Sequence, residues 1–234
     1  MNLVFDIDDT IYDLREPFEK AYKKLLAHRT RMSGEELFMK SRVYSDLVLR
    51  QEKEGNIRSE DTFYERMRLT CQDAGILLTR EEGRQFEAEY RYHQANIQVF
   101  SFMKEILDEC RKKQVPIAVL TNGSRQGQQK KIDVLSLKDW FDDDRIFISG
   151  VTGYQKPDVH AFRYVEEKLH FLPKETWYIG DTYEADIIGA SQAGWHTIWM
   201  NHRNRPCPEA ASRADREITK GEQLLSQLQS LQIL

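Results

Sequence analysis

Met1-Asn2-Leu3-Val4-Phe5-Asp6-Ile7-Asp8-Asp9-Thr10 opens the chain. An apolar run, Leu3 to Phe5, gives way at once to three carboxylates within four positions and then a hydroxyl. A short run containing Val and Phe and stopped by polar residues reads as a buried strand of a parallel sheet. In open α/β sheets ligands bind just beyond the carboxyl ends of the strands. Asp6 is therefore expected at a strand tip, with Asp8 pointing roughly the same way two residues on. Carboxylates this close repel unless they share a proton or a cation. Oxygen-rich side chains with no His or Cys nearby suit Mg²⁺ better than zinc. An EF-hand loop starting at Asp6 fails, because its sixth position is Ile11 instead of Gly and its twelfth is Pro17 instead of Glu.

From Glu16 to about Asn96 no strand is evident and the periodicity is helical. Phe18, Ala21, Tyr22, Leu25 and Leu26 recur at helical spacing, and Ser33-Gly34-Glu35-Glu36 and Thr79-Arg80-Glu81-Glu82 each fit a capping box. Helices over about 16–30, 34–53, 59–73 and 80–94 make a four-helix unit. Beyond Val99 the pattern alternates. A helix carrying Phe102, Ile106 and Cys110 leads to a strand, Pro116–Leu120; a helix follows at 125–135 and a strand at 146–148. Helix 158–169, strand 177–179, helix 184–192 and strand 197–200 come next, then a weak strand near Glu217 and a helix from Gly221. Such alternation implies right-handed crossovers and a parallel sheet.

Three further strand ends carry polar groups suited to one chemistry. Thr121 ends the second strand, and Asn122-Gly123-Ser124 offers amides before a helix, a phosphate-binding arrangement. Pro157 suits the first turn of a helix and extends Lys156, directing its ammonium away from that helix towards the acidic cluster. Trp177-Tyr178-Ile179-Gly180-Asp181-Thr182-Tyr183-Glu184-Ala185-Asp186 is an apolar strand running into carboxylates, and Gly189-Ala190 lets the next helix pack closely.

These four segments, in this order, resemble the four motifs of the haloacid dehalogenase (HAD) superfamily of phosphohydrolases. The resemblance spans 1–14 and about 98–230; the insertion matches only in position and helical character. It implies an α/β protein with a Rossmann-like parallel-sheet core at 1–14 and 97–234 and an inserted all-helical, four-helix cap at 15–96. It further implies Asp6 as a nucleophile forming an aspartyl-phosphate, and Asp8 as general acid and base. Mg²⁺ would be held by Asp6, the Asp8 carbonyl and Asp181, with Asp186 ordering metal-bound water. Thr121, the amide region at Asn122 and Lys156 would bind the phosphoryl group. Asp9 stands where many members have Gly and is read as a turn residue, not a ligand.

A dehalogenase of the same fold needs neither metal nor the second acid, which Asp8, Asp181 and Asp186 argue against. A phosphosugar mutase keeps the motifs and stays open. A receiver-type signalling module carries its acceptor Asp on a later strand and has no helical insertion. A phosphate-binding regulator with a dead site would lack a motif residue, and none is missing. Leu120-Thr121-Asn122-Gly123 and Trp199-Met200-Asn201 look similar to bacterial pyrimidine 5′-nucleotidases of the superfamily, which favours a nucleoside 5′-monophosphate over a sugar or flavin-precursor phosphate. The aromatics of the insertion, Tyr22, Phe38, Phe63 and Phe86 among them, read as helix–helix core.

The bulk properties are those of a globular protein. The 234 residues are 40% hydrophobic and 31% charged, with a net charge of −4, so nothing points to a nucleic-acid polymer as partner. Cys71, Cys110 and Cys207 are odd in number and far apart, and the six histidines have no ligand spacing. A strand beginning at Asn2 leaves no room for a signal peptide, and no apolar run reaches membrane-spanning length, so a cytoplasmic protein acting on a small phosphorylated metabolite is expected. Arg203 and Arg205, in a polar, Pro-punctuated stretch, read as a solvated loop. The sequence does not specify an oligomeric state.

Overall fold

The computed structural model describes all 234 residues apart from the side chain of Asp46. The chain forms two compact units, Met1–Asp13 with Gln98–Leu234, and Leu14–Ile97.

The first unit is an α/β sandwich. Strand β1 (Asn2–Phe5) pairs on both sides, and the chain then leaves for the helical insertion, helices α1 (Arg15–Leu25), α2 (Gly34–Lys53), α3 (Thr62–Asp73) and α4 (Arg80–Gln94). It returns through α5 (Ser101–Lys112), β2 (Ile117–Thr121), α6 (Arg125–Val134), β3 (Ile146–Ile148) and a one-turn helix α7 (Ser149–Thr152). Then come α8 (Val159–Leu169), β4 (Thr176–Gly180), α9 (Gly189–Ala193), β5 (His196–Met200), β6 (Arg216–Ile218) and α10 (Gln223–Ser230).

The six strands are all parallel, in the order β3-β2-β1-β4-β5-β6. Strand order reverses at β1, which lies between β2 and β4, and this is where such sheets bind ligands. β2 and β4 are buried along their whole length, as expected for strands covered on both faces. Val4, Leu120 and Tyr178 point to one face and meet Phe162 and Val165 of α8 and Trp195. Phe5, one residue on, points to the opposite face against Phe141.

The entry to and exit from the insertion lie side by side. Tyr12 forms an antiparallel bridge with Val99, and the Phe100 N–H donates to the Ile11 carbonyl at 2.9 Å.

The helical unit has its own core. Phe18 of α1 meets Phe38 and Phe86 edge-on at centroid distances of 5.6 and 5.4 Å, and Leu37 and Met67 are fully buried beside them. Both capping boxes form: the Ser33 hydroxyl accepts from the Glu36 N–H and the Thr79 hydroxyl from the Glu82 N–H, while each glutamate accepts from the cap residue's N–H. Each box adds about 1 kcal/mol to its helix. Helices α2 and α4 run over the ranges the sequence predicts; α1 stops at Leu25, and α3 starts at Thr62 after a single tighter turn. Of the aromatics expected in the core, Tyr22, Phe38 and Phe86 are buried, whereas Tyr92 is exposed.

Three other expectations need correction. The helix expected at 184–192 begins as a wide π turn, Tyr183–Ile188, before becoming α9. Pro157 is not in the first turn of α8: Asp158 is the N-cap, its carboxylate accepting from the His160 N–H. The stretch after β5 has an exposed surface at Asn204, Pro206 and Pro208, but Arg203, read as solvated, turns inward and is ion-paired.

Candidate active site at the strand ends

Asp6 follows β1, Thr121 ends β2, Asp181 follows β4, and Lys156 lies on the loop before α8, so four segments distant in sequence converge on the carboxyl edge of one sheet. Asp6, Asp181 and Asp186 each offer a carboxylate oxygen, and these oxygens all lie within 4.8 Å of one another. All three side chains are buried. Lys156, also buried, donates through Nζ to Asp6 Oδ1 at 2.8 Å, to Asp186 Oδ1 at 2.6 Å and to the Tyr178 hydroxyl at 2.6 Å. The Tyr178 O–H donates in turn to the Leu120 carbonyl at 2.7 Å, which fixes the ammonium's third partner.

Electrostatics follow from crowding. Burial pushes the Asp6 carboxyl up to about 7; Lys156 opposes this, while Asp186 and Asp8 add repulsion. Burial likewise pushes Asp181 up to about 8, with repulsion from Asp9 outlasting the attraction of Arg205. For Lys156, burial alone would depress the ammonium, but Asp186 and Asp6 outweigh it and hold it firmly charged. One lysine thus does not neutralise the acidic cluster.

Backbone geometry places Asp186. At the head of the π turn the Asp186 N–H donates to the Thr182 carbonyl at 2.8 Å, while the Asp186 carboxylate accepts from the Thr182 N–H at 2.9 Å. Single π turns recur at functional sites because they re-aim one side chain. Gly180 makes this possible, since a Cβ there would lie 2.7 Å from Asp186 Cβ. Gly189 allows equally close packing of α9, where a Cβ would stand 2.7 Å from the Phe162 ring.

Asp8 does not join the three-carboxylate cluster. Its Oδ1 accepts from the Tyr12 hydroxyl at 2.5 Å, its Oδ2 from Gln128 at 2.9 Å, and both oxygens from Lys131 Nζ at 2.6 Å. Burial pulls Asp8 upward, but the Lys131 charge and these hydrogen bonds prevail and leave it below its ordinary range. Gln128 and Lys131 share one face of α6 and are absent from the sequence-based site. Their spacing of three residues marks a helix face, yet nothing local to them names Asp8 as their target.

Thr121 is buried and its hydroxyl has no partner among the described residues. Asn122 is committed elsewhere: its Nδ2 donates to the Lys156 carbonyl at 2.8 Å and its Oδ1 accepts from the Lys156 N–H at 2.9 Å. Its side chain therefore positions Lys156, which leaves only its main chain for a ligand.

Asp9 sits in a left-handed turn at φ 59°, buried and tied to the segment after β5. Arg203 bonds both of its oxygens and also reaches Asp13 Oδ1 at 2.7 Å; Arg205 reaches Asp181 Oδ2 at 2.6 Å. Asn201 folds this segment by holding the Arg205 main chain through its amide, at 2.9 and 2.7 Å. Asp9 is thus a turn residue, as read from the sequence, and also the anchor of a buried ion pair.

Comparison with known proteins agrees with this geometry. Residues 1–194 match the family model described as haloacid dehalogenase-like hydrolase. The HAD-hydrolase YfnB of Bacillus subtilis is 28% identical over 206 residues, covering 87% of this chain and 85% of YfnB. Its crystal structure, bound to magnesium, superposes with a TM-score of 0.70 over 97% of both chains. N-acylneuraminate-9-phosphatase of Mus musculus is 36% identical over 104 residues, 44% of this chain and 41% of that protein. The pyrimidine 5′-nucleotidase YjjG of Escherichia coli is 35% identical over 94 residues, 40% of this chain and 41% of that protein. The family match over most of its length, together with the parallel sheet and the residues at its carboxyl edge, makes this chain a member of the haloacid dehalogenase-like hydrolases.

Proposed function

We propose that the chain is a Mg²⁺-dependent phosphomonoesterase that works through an aspartyl-phosphate on Asp6. The observation that carries this reading is the buried Asp6–Lys156–Asp186 triad with Asp181 beside it. A carboxylate approaching a phosphate dianion meets repulsion, which cations and hydrogen-bond donors around the phosphoryl group offset.

The residues fit a divalent cation. The donors are all oxygen, three carboxylates converge, and Asp6 and Asp181 are pushed up to about 7 and 8, as expected where negative charge exceeds its counter-charge. Asp6, Asp181 and the Asp8 carbonyl would hold Mg²⁺, with Asp186 holding its water; bound there, the ion would lower the charge barrier to attack.

Asp6 Oδ attacks phosphorus as the bond from phosphorus to the leaving oxygen breaks. Asp8 gives that oxygen its proton, a role that requires substrate to draw it away from Lys131, whose charge holds the carboxyl below its ordinary range in the free chain. Water then loses a proton to Asp8 and attacks phosphorus, the phosphorus–Asp6 bond breaks, and inorganic phosphate departs with Asp6 restored. The Thr121 hydroxyl, which lacks a partner among the described residues, donates to a phosphoryl oxygen, and Lys156 supplies positive charge. The helical unit, 15–96 in the reading from sequence, serves as the cap that selects the substrate.

For the substrate, the leading reading is a nucleoside 5′-monophosphate, supported by the core motifs and the likeness to a pyrimidine 5′-nucleotidase. A sugar phosphate is the second reading, favoured by the likeness to an N-acylneuraminate-9-phosphatase. Phosphate release across nucleotides and sugar phosphates, with and without Mg²⁺, tests both. Asp6→Asn should lower turnover by about 10⁴-fold or more, as loss of a covalent nucleophile does. Absence of turnover on every phosphate from a folded, Mg²⁺-binding protein would refute the hydrolase.

A further inference from the structure

The helical unit brings together three arginines, Arg42, Arg66 and Arg91, of which Arg42 and Arg66 form no ion pair among the described residues. Arg66 of α3 stacks on the Phe63 ring with its guanidinium carbon 4.7 Å from the centroid, and Arg91 of α4 lies over the same ring at 5.9 Å. Tyr90 packs on Phe63 at 5.7 Å and fixes the platform. Arg66 Nε is shut off from solvent and has no hydrogen-bond partner among the described residues. Arg42 of α2 is close enough to repel it, and the nearby carboxylate, Glu87, is paired with Arg91 at 3.2 Å. Neither Arg66 nor Arg42 forms an ion pair among the described residues.

Burial pushes the Arg66 guanidinium down to about 10; Tyr90 relieves this, while Arg42 and Arg91 add like charge. It stays charged at neutral pH. Arg66 is half-buried, and its Nε, cut off from water without an acceptor, costs free energy unless an anion completes it. Arginine forks match the planar oxygens of carboxylate and the face of a phosphate.

We propose that Arg66, with Arg42 and Arg91, forms an anion site in the helical unit that takes a carboxylate or phosphate group. Two sources share that chemistry: a second acidic group on a phosphorylated substrate, and a free anion acting on its own. The site stands independently of the phosphatase reading; only the kinetic comparison below rests on it.

The test uses the full chain as wild type, Arg66→Met and Arg42→Met, with succinate and inorganic phosphate as probes in the presence of chelator. At an anion concentration well above its dissociation constant, at least one probe should raise the wild-type unfolding temperature by about 2–4 °C. That shift should vanish in Arg66→Met and shrink in Arg42→Met, whose exposed position guards against a folding defect. If neither probe shifts the wild type, or if Arg66→Met keeps the full shift, the proposal is overturned. Kinetics then separate the sources. If Arg66→Met raises KM for phosphoserine about tenfold more than for p-nitrophenyl phosphate, the anion is the substrate's own group. An equal effect on both substrates, with the thermal shift lost, identifies a free anion. Should the wild type hydrolyse neither compound, the thermal comparison alone decides the site, and the phosphatase reading is judged on the wider panel of phosphates.

Discussion

Replacing Lys156 by Met removes the buried ammonium from the Asp6–Asp181–Asp186 cluster while keeping most of the side chain's volume. Lys156 is 3% exposed and bonds two carboxylates and the Tyr178 hydroxyl at 2.6–2.8 Å. Removing one partner of such a buried pair costs about 3–5 kcal/mol, because the other charge stays behind uncompensated. For a unit of this size each kcal/mol lowers the unfolding temperature by about 2–4 °C, so Lys156→Met should unfold roughly 6–20 °C below wild type in chelator. The deficit should shrink at acid pH, where protonation relieves the stranded carboxylates, and should shrink again on adding Mg²⁺. Differential scanning calorimetry at pH 5 and pH 8, with EDTA or Mg²⁺, measures both effects. A variant as stable as wild type at pH 8 in EDTA, or one indifferent to pH and Mg²⁺, would refute the charge-compensation argument.

Further outcomes follow from the same geometry. Asp6 and Asp181 hold protons up to about pH 7 and 8 in the folded chain, whereas unfolded Asp releases them near pH 4, so the folded state binds more protons in between. Their contribution is therefore complete below pH 4 and is lost as pH rises towards 8; in chelator the calorimetric stability should fall across that window, and saturating Mg²⁺ should flatten it. Lys131→Met removes the charge that holds Asp8 below its ordinary range and should move the alkaline fall of kcat/KM to higher pH, read from pH–rate profiles of the two proteins. Gly180→Ala would drive a methyl into Asp186, and isothermal titration should show Mg²⁺ affinity weakened by about tenfold or more as that carboxylate is displaced.

What was readable in the sequence was local or periodic. β1, β2 and β4 announce themselves as apolar runs ending in Asp6, Thr121 and Asp181, and the Ser33 and Thr79 boxes fix the starts of α2 and α4 within four residues each. What stayed hidden depends on partners far apart along the chain. Lys131 meets Asp8 across 123 positions and Arg203 meets Asp9 across 194, and no spacing rule links such residues. Composition misled at Arg203 and Arg205, since a polar, Pro-containing stretch reads as solvated until Asp9 is seen to need a counter-charge. The carboxylate excess at Asp8-Asp9 was the available clue: three acids in four positions demand more positive charge than Lys156 supplies. The π turn at Tyr183–Ile188 was illegible for a different reason, because the buried residues Tyr183, Ile187, Ala190 and Ala193 keep the spacing of three and four that an ordinary helix shows.

The bridge between Tyr12 and Val99, with Phe100 bonded to Ile11, gives the insertion the architecture of a detachable cassette. Its two ends meet in the core unit's own backbone, so the length of chain between them matters little to the core: each doubling of such a loop adds only about 0.6 kcal/mol of closure entropy. Evolution could therefore trade one helical insert for another, of different size and surface, while leaving Asp6, Lys156 and Asp181 in place. Substrate preference would then drift quickly across relatives whose reaction chemistry stays fixed. Engineering can use the same seam, grafting a foreign insert between Asp13 and Gln98 to redirect the enzyme without redesigning its chemistry.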